Sequence, residues 1–561
     1  MAMYSTPPNS AFAQIVLRSA EDATRDAEDR PRALPGAKRY TWSHSISWIP
    51  AIAAAVLIAG CSSSRLDAPL SPTYAFDHPE QTYLGRASAS QLKATPGQSG
   101  FYLLVSGQEA FVARAALAES SERTLDLQYY IVGEDASATL LLFRALLAAQ
   151  RGVHVRLLID DIYAVGRDID LATLAAHPNV QVRVFNPFQY RGPLGITQLF
   201  EFLGDSARLN RRMHNKLWIA DNAVAVIGGR NLGDAYFNVR TDSDFADLDV
   251  LAAGPVVEQI SRSFDEYWNS DLAVPIGTFA GAAPGTERVE LALMHMAAQA
   301  EHFHASEYAN ALRTTGFGTL VRKGLLPLVP AHATIFDTPV PSKAAATEQH
   351  RPIAPAVSQL IQGAQQEVML ISPYFIPGER GVAVLCSLAR RGVRVRLLTN
   401  SLASTDVPVV HAGYARYRPR LLACGVALRE LRPSATRSGG AHPRLSSGAS
   451  LHAKAVVVDG KDVLIGSMNL DPRSRQSNTE VAILINSTVL AKQLATLFEE
   501  ATALEEAFRV ELTEPGDENS ALIWVGRDDG RMVRYDSDPM TSSWRRMIAG
   551  LFGMLAPEEL L

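Results

Sequence analysis

Two stretches of the chain carry the same polar residues in the same order. Residues 214–231 read HNKLWIADNAVAVIGGRN and residues 452–469 read HAKAVVVDGKDVLIGSMN. His214, Lys216, Asp221 and Asn231 thus recur as His452, Lys454, Asp459 and Asn469 at a constant offset of 238. The apolar text around them repeats as well. TLDLQYYI at 124–131 is echoed by VMLISPYFI at 368–376, Gly133-Glu134 by Gly378-Glu379, and RGVHVRLL from Arg151 by RGVRVRLL from Arg391. A repeat of about 240 residues is far longer than a solenoid unit, so it describes two duplicated domains. A chain of 561 residues also lies above the size at which one core stops growing.

Periodicity gives each copy its class. Residues 108–118 read as a helix, 124–131 as a strand with alternating apolar residues, and 153–159 as a second strand. Between the strands, 136–150 is helical, with Leu140, Leu141, Phe143, Leu146 and Leu147 on a wide apolar face. Strand, helix and strand with short joints predict a parallel βαβ unit and an α/β fold in both halves. The expected organisation is a leader over 1–60, a Pro-, Ser- and Asp-rich tether over 61–100 and a first lobe over 101–270. A linker and edge segment over 271–350, a second lobe over 351–510 and a C-terminal hairpin with an amphipathic helix over 511–561 complete it.

The leader carries an address. Lys38 and Arg39 precede an apolar run at 48–59 that ends in Ile58-Ala59-Gly60-Cys61, too short to span a bilayer comfortably. Cys61 after this small-residue site resembles a bacterial lipoprotein processing box, which implies lipidation of Cys61 and an anchored, periplasm-facing enzyme of the cell envelope. The tail around Trp544-Arg545-Arg546-Met547 has the composition of an interfacial helix, or of a helix docked on its own core. Residues 437–450, just before the second motif, read as a flexible loop that is either a lid or an idle surface segment. Cys386 and Cys424 sit in apolar contexts and read as buried thiols. No CxxC or HExxH spacing occurs, so neither a metal nor another cofactor is expected.

With 53 basic against 58 acidic residues the net charge is −5, which does not suggest the basic face of a nucleic-acid binder. A nuclease working through the same histidines needs a basic groove with aromatic platforms, and no nucleic-acid partner is expected.

In each motif the His and Lys are one residue apart, which on a strand places both on one face. Two copies meeting at a pseudo-twofold axis give two imidazoles, two ammonium groups and two amides around a single phosphodiester. One neutral His attacks phosphorus and the other, protonated, serves the leaving oxygen. Lys216, Lys454, Asn231, Asn469 and Ser467 are candidates to hold the non-bridging oxygens. Asp247 and Glu480 are candidates to orient the imidazoles. Asp221 and Asp459, each before a turn, read as structural, and Gly229, which faces Ser467 in the alignment of the two copies, allows close backbone approach.

These paired signatures resemble those of the phospholipase D superfamily over nearly all of 100–500. The resemblance implies two α/β/α sandwich lobes sharing one active site at a pseudo-twofold axis, metal-independent exchange and a phosphohistidine. Asp126-Leu-Gln-Tyr-Tyr-Ile, Phe185-Asn-Pro-Phe, Arg212-Met-His-Asn-Lys and Gly228-Gly-Arg-Asn resemble bacterial cardiolipin synthases of the C type. They imply transfer of a phosphatidyl group between phospholipids, with phosphatidylglycerol and phosphatidylethanolamine as candidate partners at a membrane surface. Arg208, Arg211, Arg212, Arg416, Arg418 and Arg420 are candidates to receive acidic lipids near the mouth. Hydrolysis to phosphatidic acid, nuclease activity and a non-catalytic lipoprotein are the competing readings.

Overall fold

A computed structural model describes residues 71–189, 201, 206–239, 244–279, 284–304, 306, 308–309, 316–341, 352–433 and 450–555. Cys61, the apolar run at 48–59 and the loop at 437–449 lie outside them.

In the first lobe the parallel strands Thr124–Tyr129, His154–Asp160 and Val180–Phe185 lie side by side. The sheet continues antiparallel through Leu217–Ala220, Val224–Gly228, Asp249–Ala253 and Ser99–Leu104. The second lobe repeats the order with Glu367–Ile371, Arg394–Asn400 and Ala427–Leu431 parallel, then Ala455–Val458, Asp462–Gly466, Val481–Asn486 and Val329–Asp337 antiparallel. Val329–Asp337 comes from the segment read as linker and edge. Its residues 332–337 pair with the second lobe, whereas 329–331 pair with Ser99–Phe101 of the first. The two sheets are thereby continuous, edge to edge. The same segment also supplies the helix Thr286–His304.

Local chemistry starts and stops the elements where the topology needs them. Ser106 accepts from the amides of Gln108 and Glu109 at the start of helix Gly107–Ser120, and Asp135 accepts from Ala138 at the start of Ala136–Gln150. Both helices pack on the outer face of the first sheet, which they share with Leu125, Leu127 and Trp218. Alternation along the strands sends the next residues inward. Leu217, Ile219, Ala225 and Ile227 meet Ala455, Val457, Val463 and Ile465 in a core common to both lobes. Helices Val256–Trp268 and Thr488–Ala501 bury their apolar faces in the same core.

Cys386 and Cys424 were expected as thiols, and the structure corrects this. They form a disulfide with Cα atoms 5.3 Å apart, tying helix Gly378–Arg390 to the end of Arg418–Ala423. The two cysteines are distant in sequence and become neighbours only where these helices pack. Among the described residues no helix is long and apolar enough to cross a membrane.

Candidate active site

Each His-x-Lys pair sits on the approach to a strand, not on a strand face as alternation suggested. Leu217–Ala220 begins directly after Lys216, and Ala455–Val458 directly after Lys454. The end of a neighbouring parallel strand fixes each approach. Asp160 closes His154–Asp160 and accepts from the amide of Met213 at 2.7 Å. Asn400 closes Arg394–Asn400, accepting from the Leu451 amide and donating to the Leu451 carbonyl, both at 2.9 Å. Met213 and Leu451 are the residues immediately before the two histidines. Sequence reasoning passed over Asp160 and Asn400, although both end the duplicated RLL strands.

The approaches are then clasped to the opposite lobe. The amide of His214 donates to the carbonyl of Thr479 at 2.9 Å, and that of Thr479 to Arg212 at 2.8 Å. On the other side the amide of His452 donates to Ala246 at 2.8 Å, and Ser450–Leu451 pairs in parallel with Phe245–Ala246. The residue that follows each clasp is a carboxylate. Glu480 lies 2.9 Å from Nδ1 of His214, and Asp247 lies 2.6 Å from Nδ1 of His452. Wherever the carboxyl is ionised it only accepts, so it fixes the ring proton on Nδ1 and leaves Nε2 free. Both rings are almost fully buried. Tyr130 packs edge-on against His214, and Tyr236 edge-on against His452.

The phosphate-binding candidates fall into two groups. Lys216 and Lys454 are buried, and each donates one N–H to the carbonyl of its own histidine, leaving two further donors. Asn231 donates to the Tyr236 hydroxyl at 2.8 Å and accepts from the Ile131 amide, so its amide is already engaged. The carboxamide oxygen of Asn469 is buried without a partner among the described residues. Ser467 was expected on the phosphate, but its hydroxyl donates 2.5 Å to Glu480 and so braces the carboxylate behind His214. Gly229 answers it in the first lobe. A Cβ there would come within 2.2 Å of Asp247 Oδ1, so the shorter carboxylate reaches its histidine by running against bare backbone. Gly with Asp and Ser with Glu are two solutions to one spacing.

Asp221 and Asp459 lie outside this constellation. Each is in the left-handed region, with φ of 55° and 51°. Asp221 accepts from the amides of Glu122, Arg123 and Thr124, and Asp459 from those of Gln365, Gln366 and Glu367. They tie each motif hairpin to the start of the neighbouring strand. The arginines expected at the mouth are for the most part committed elsewhere. Arg212 and Arg418 are buried against Asp160 and Glu430, while Arg208 and Arg420 pair with Glu201 and Glu379.

The two half-sites differ electrostatically. Burial, then Lys216, Lys454 and His452, hold the His214 imidazole well below its ordinary range. Burial and Lys454 lower His452 as well, with Asp247 opposing them. Burial raises Asp247, but His452, Lys454 and Arg230 outweigh it and keep the carboxyl below the usual range. Glu480 is pushed up to about 7 by burial despite Lys216 and its serine donors. Part of the cause is legible in the motif, because Arg230 stands where the second copy has Met468. Arg230 donates to the Asp247 carbonyl at 2.6 Å, and no such cation backs Glu480 at the matching position. Lys216 is lowered to about 7, chiefly by burial.

A family model described as "Cardiolipin synthase, PLD-like domain" matches residues 115–268 and 357–502, one span in each lobe. The chain is 40% identical over 475 residues to cardiolipin synthase C of Escherichia coli strain K12, spanning 83% of this chain and 97% of the relative. It is 32% identical over 503 residues to an uncharacterised protein of Helicobacter pylori strain J99, spanning 89% and 97%. Phosphatidylserine synthase of Haemophilus influenzae Rd KW20 has a crystal structure alike in fold, with a TM-score of 0.51 at 12% identity across 78% of this chain and 92% of that one. With relatives matching both lobes, the chain belongs to the phospholipase D-like family of cardiolipin synthases and is an enzyme of the phospholipase D superfamily.

Proposed function

We propose that the enzyme moves a phosphatidyl group from one phospholipid to the hydroxyl of another through a phosphohistidine, with phosphatidylglycerol as acceptor and phosphatidylglycerol or phosphatidylethanolamine as donor. The observation that carries the reading is the crossed pairing, His214 on Glu480 and His452 on Asp247. Each histidine is completed by the other lobe, which suits a single phosphorus reached from two sides.

The electrostatic asymmetry supports distinct roles. His214, the more strongly depressed, starts neutral and attacks phosphorus through Nε2. The bond from phosphorus to the donor's headgroup oxygen breaks. His452, braced by an ionised Asp247, gives its proton to that oxygen, and glycerol or ethanolamine leaves. The acceptor's hydroxyl then attacks the phosphohistidine and passes its proton to His452, and the P–N bond breaks to release the dimeric lipid and free His214. Lys216 and Lys454 supply charge toward the non-bridging oxygens, and preorganised donors of this kind contribute about a hundred- to a thousandfold each.

Place in the cell follows the same reading. The disulfide Cys386–Cys424 suits an oxidising compartment, and lipidation of Cys61 suits a periplasm-facing enzyme held at the envelope membrane. The C-terminal helix Ser543–Leu555 supports contact with a lipid surface. It is fastened by Arg545 to the carbonyls of Leu402 and Thr405, while Trp544, Met547 and Leu551 remain more than half exposed on one stripe.

Purified protein is incubated with phosphatidylglycerol vesicles, with and without phosphatidylethanolamine, and the products are resolved by lipid mass spectrometry. Cardiolipin is the expected product. Phosphatidic acid alone would make the enzyme a hydrolase, and cleavage of an oligonucleotide without lipid turnover would make it a nuclease.

A further inference from the structure

Transfer between two phospholipids brings two phosphodiesters to one mouth, the donor's, which breaks, and the acceptor's, which stays intact. The doubled motif answers only the first. Arg473 has the position to answer the second. It lies on the short helix Pro472–Gln476, four residues after Asn469. That helix is fixed to the site through Ser474, whose hydroxyl donates 2.8 Å to Glu480 and accepts from the Asn469 amide. One residue before this anchor, the Arg473 side chain is exposed and makes no ion pair or hydrogen bond among the described residues. Its charge bears on His214, Tyr130 and Tyr163 of the first lobe as well as on its neighbour Asp471, as expected of a side chain one residue from the Ser474–Glu480–His214 contact that joins the lobes. At the matching offset the first copy has Ala235. This charge is a departure from the pseudo-twofold symmetry of the two motifs.

We propose that Arg473 is the specificity residue that holds the intact phosphodiester of the acceptor phospholipid, presenting its headgroup hydroxyl to the phosphohistidine. The proposal rests on the phosphatidyl-transfer reading. It explains how a chain of net charge −5 takes a second anionic lipid next to a phosphorylated site. A planar guanidinium suits this task because it grips a phosphate by two parallel hydrogen bonds.

The test compares three acceptors with one phosphatidylglycerol donor, namely isotopically labelled glycerol, whose transfer shows as label entering phosphatidylglycerol, glycerol 3-phosphate, and a second phosphatidylglycerol in vesicles. In Arg473→Ala the ratio of kcat/KM for glycerol 3-phosphate over glycerol is expected to fall about tenfold or more, as for loss of one charge-assisted hydrogen bond. Cardiolipin formation falls with it, and Arg473→Lys recovers part of both. Equal losses for glycerol and glycerol 3-phosphate, or no loss for either, overturn the proposal. Should the wild-type enzyme give only phosphatidic acid with every acceptor, the transferase reading itself falls, an outcome visible before any variant is made.

Discussion

Asp247 and Glu480 do the same work from different side chains, and the difference sets what their removal costs. Asp247 is kept ionised by His452, Lys454 and Arg230, whereas burial raises Glu480 to about 7 and two serine hydroxyls brace it. Asp247→Asn and Glu480→Gln keep the shape and remove the charge that favours an imidazolium. Turnover is expected to fall about a hundred- to ten-thousandfold with the melting temperature little changed, and further in Asp247→Asn if its histidine carries the proton as proposed. Equal falls would count against separate roles. A donor with a p-nitrophenol leaving group needs no acid, so His452→Ala should still release one burst of p-nitrophenol while His214→Ala releases none. A burst from His214→Ala alone would reverse the assignment. Lys216 sets the pH profile. Its ammonium loses a proton as pH rises through about 7, and the site then loses positive charge needed for an anionic substrate. The kcat/KM for lipid is therefore expected to decline above pH 7, far below the ordinary lysine range. A profile flat to pH 9 contradicts this.

Among the elements, the C-terminal helix Ser543–Leu555 is the one whose exposed face calls for a partner. Met540 to Leu555 contains two arginines and no acidic residue, and among the described residues the helix buries a small apolar spot, Ala549 against Leu402 and Ala412. Leu402 lies two residues from Asn400, which fixes the residue before His452, so the helix stands one layer from the site. Changing Trp544, Met547 and Leu551 together to Asp is expected to weaken sedimentation with phosphatidylglycerol vesicles at least about a hundredfold, since each inserted apolar side chain contributes about 1.5 kcal/mol or more. Turnover of a monomeric short-chain lipid should stay within about twofold. Unchanged sedimentation would leave the helix a purely internal support. The composition at 544–555 admitted both a docked and an interfacial helix; the structure gives it a fastened side and an open side. The strand Val329–Asp337 was passed over although Val329, Ala331, Ala333 and Ile335 alternate with Pro330, His332 and Thr334, because a proline and two small alanines carry little strand propensity. It is a strand because two sheet edges need closing.

For the whole molecule, the consequence is that both halves must be intact in one chain. His214→Ala and His452→Ala each lack one member of the shared pair, and mixing the two purified variants is expected to leave activity at background. Recovery on mixing would mean that the working site forms between chains. The duplication, the α/β class of each half, the two His-x-Lys pairs and the acceptors Asp247 and Glu480 could all be read from residue order, because periodicity and a constant offset are local records of a repeated unit. Residue order was silent on which carboxylate serves which histidine, since each contact spans more than 200 residues and closes only when the lobes meet along Leu217, Ile219, Ala455 and Val457. The disulfide, the turn of Ser467 from substrate to Glu480, and the open position of Arg473 belong to the same class. Each depends on the direction in which a side chain leaves the packed backbone, and that direction was decided by the tertiary structure alone.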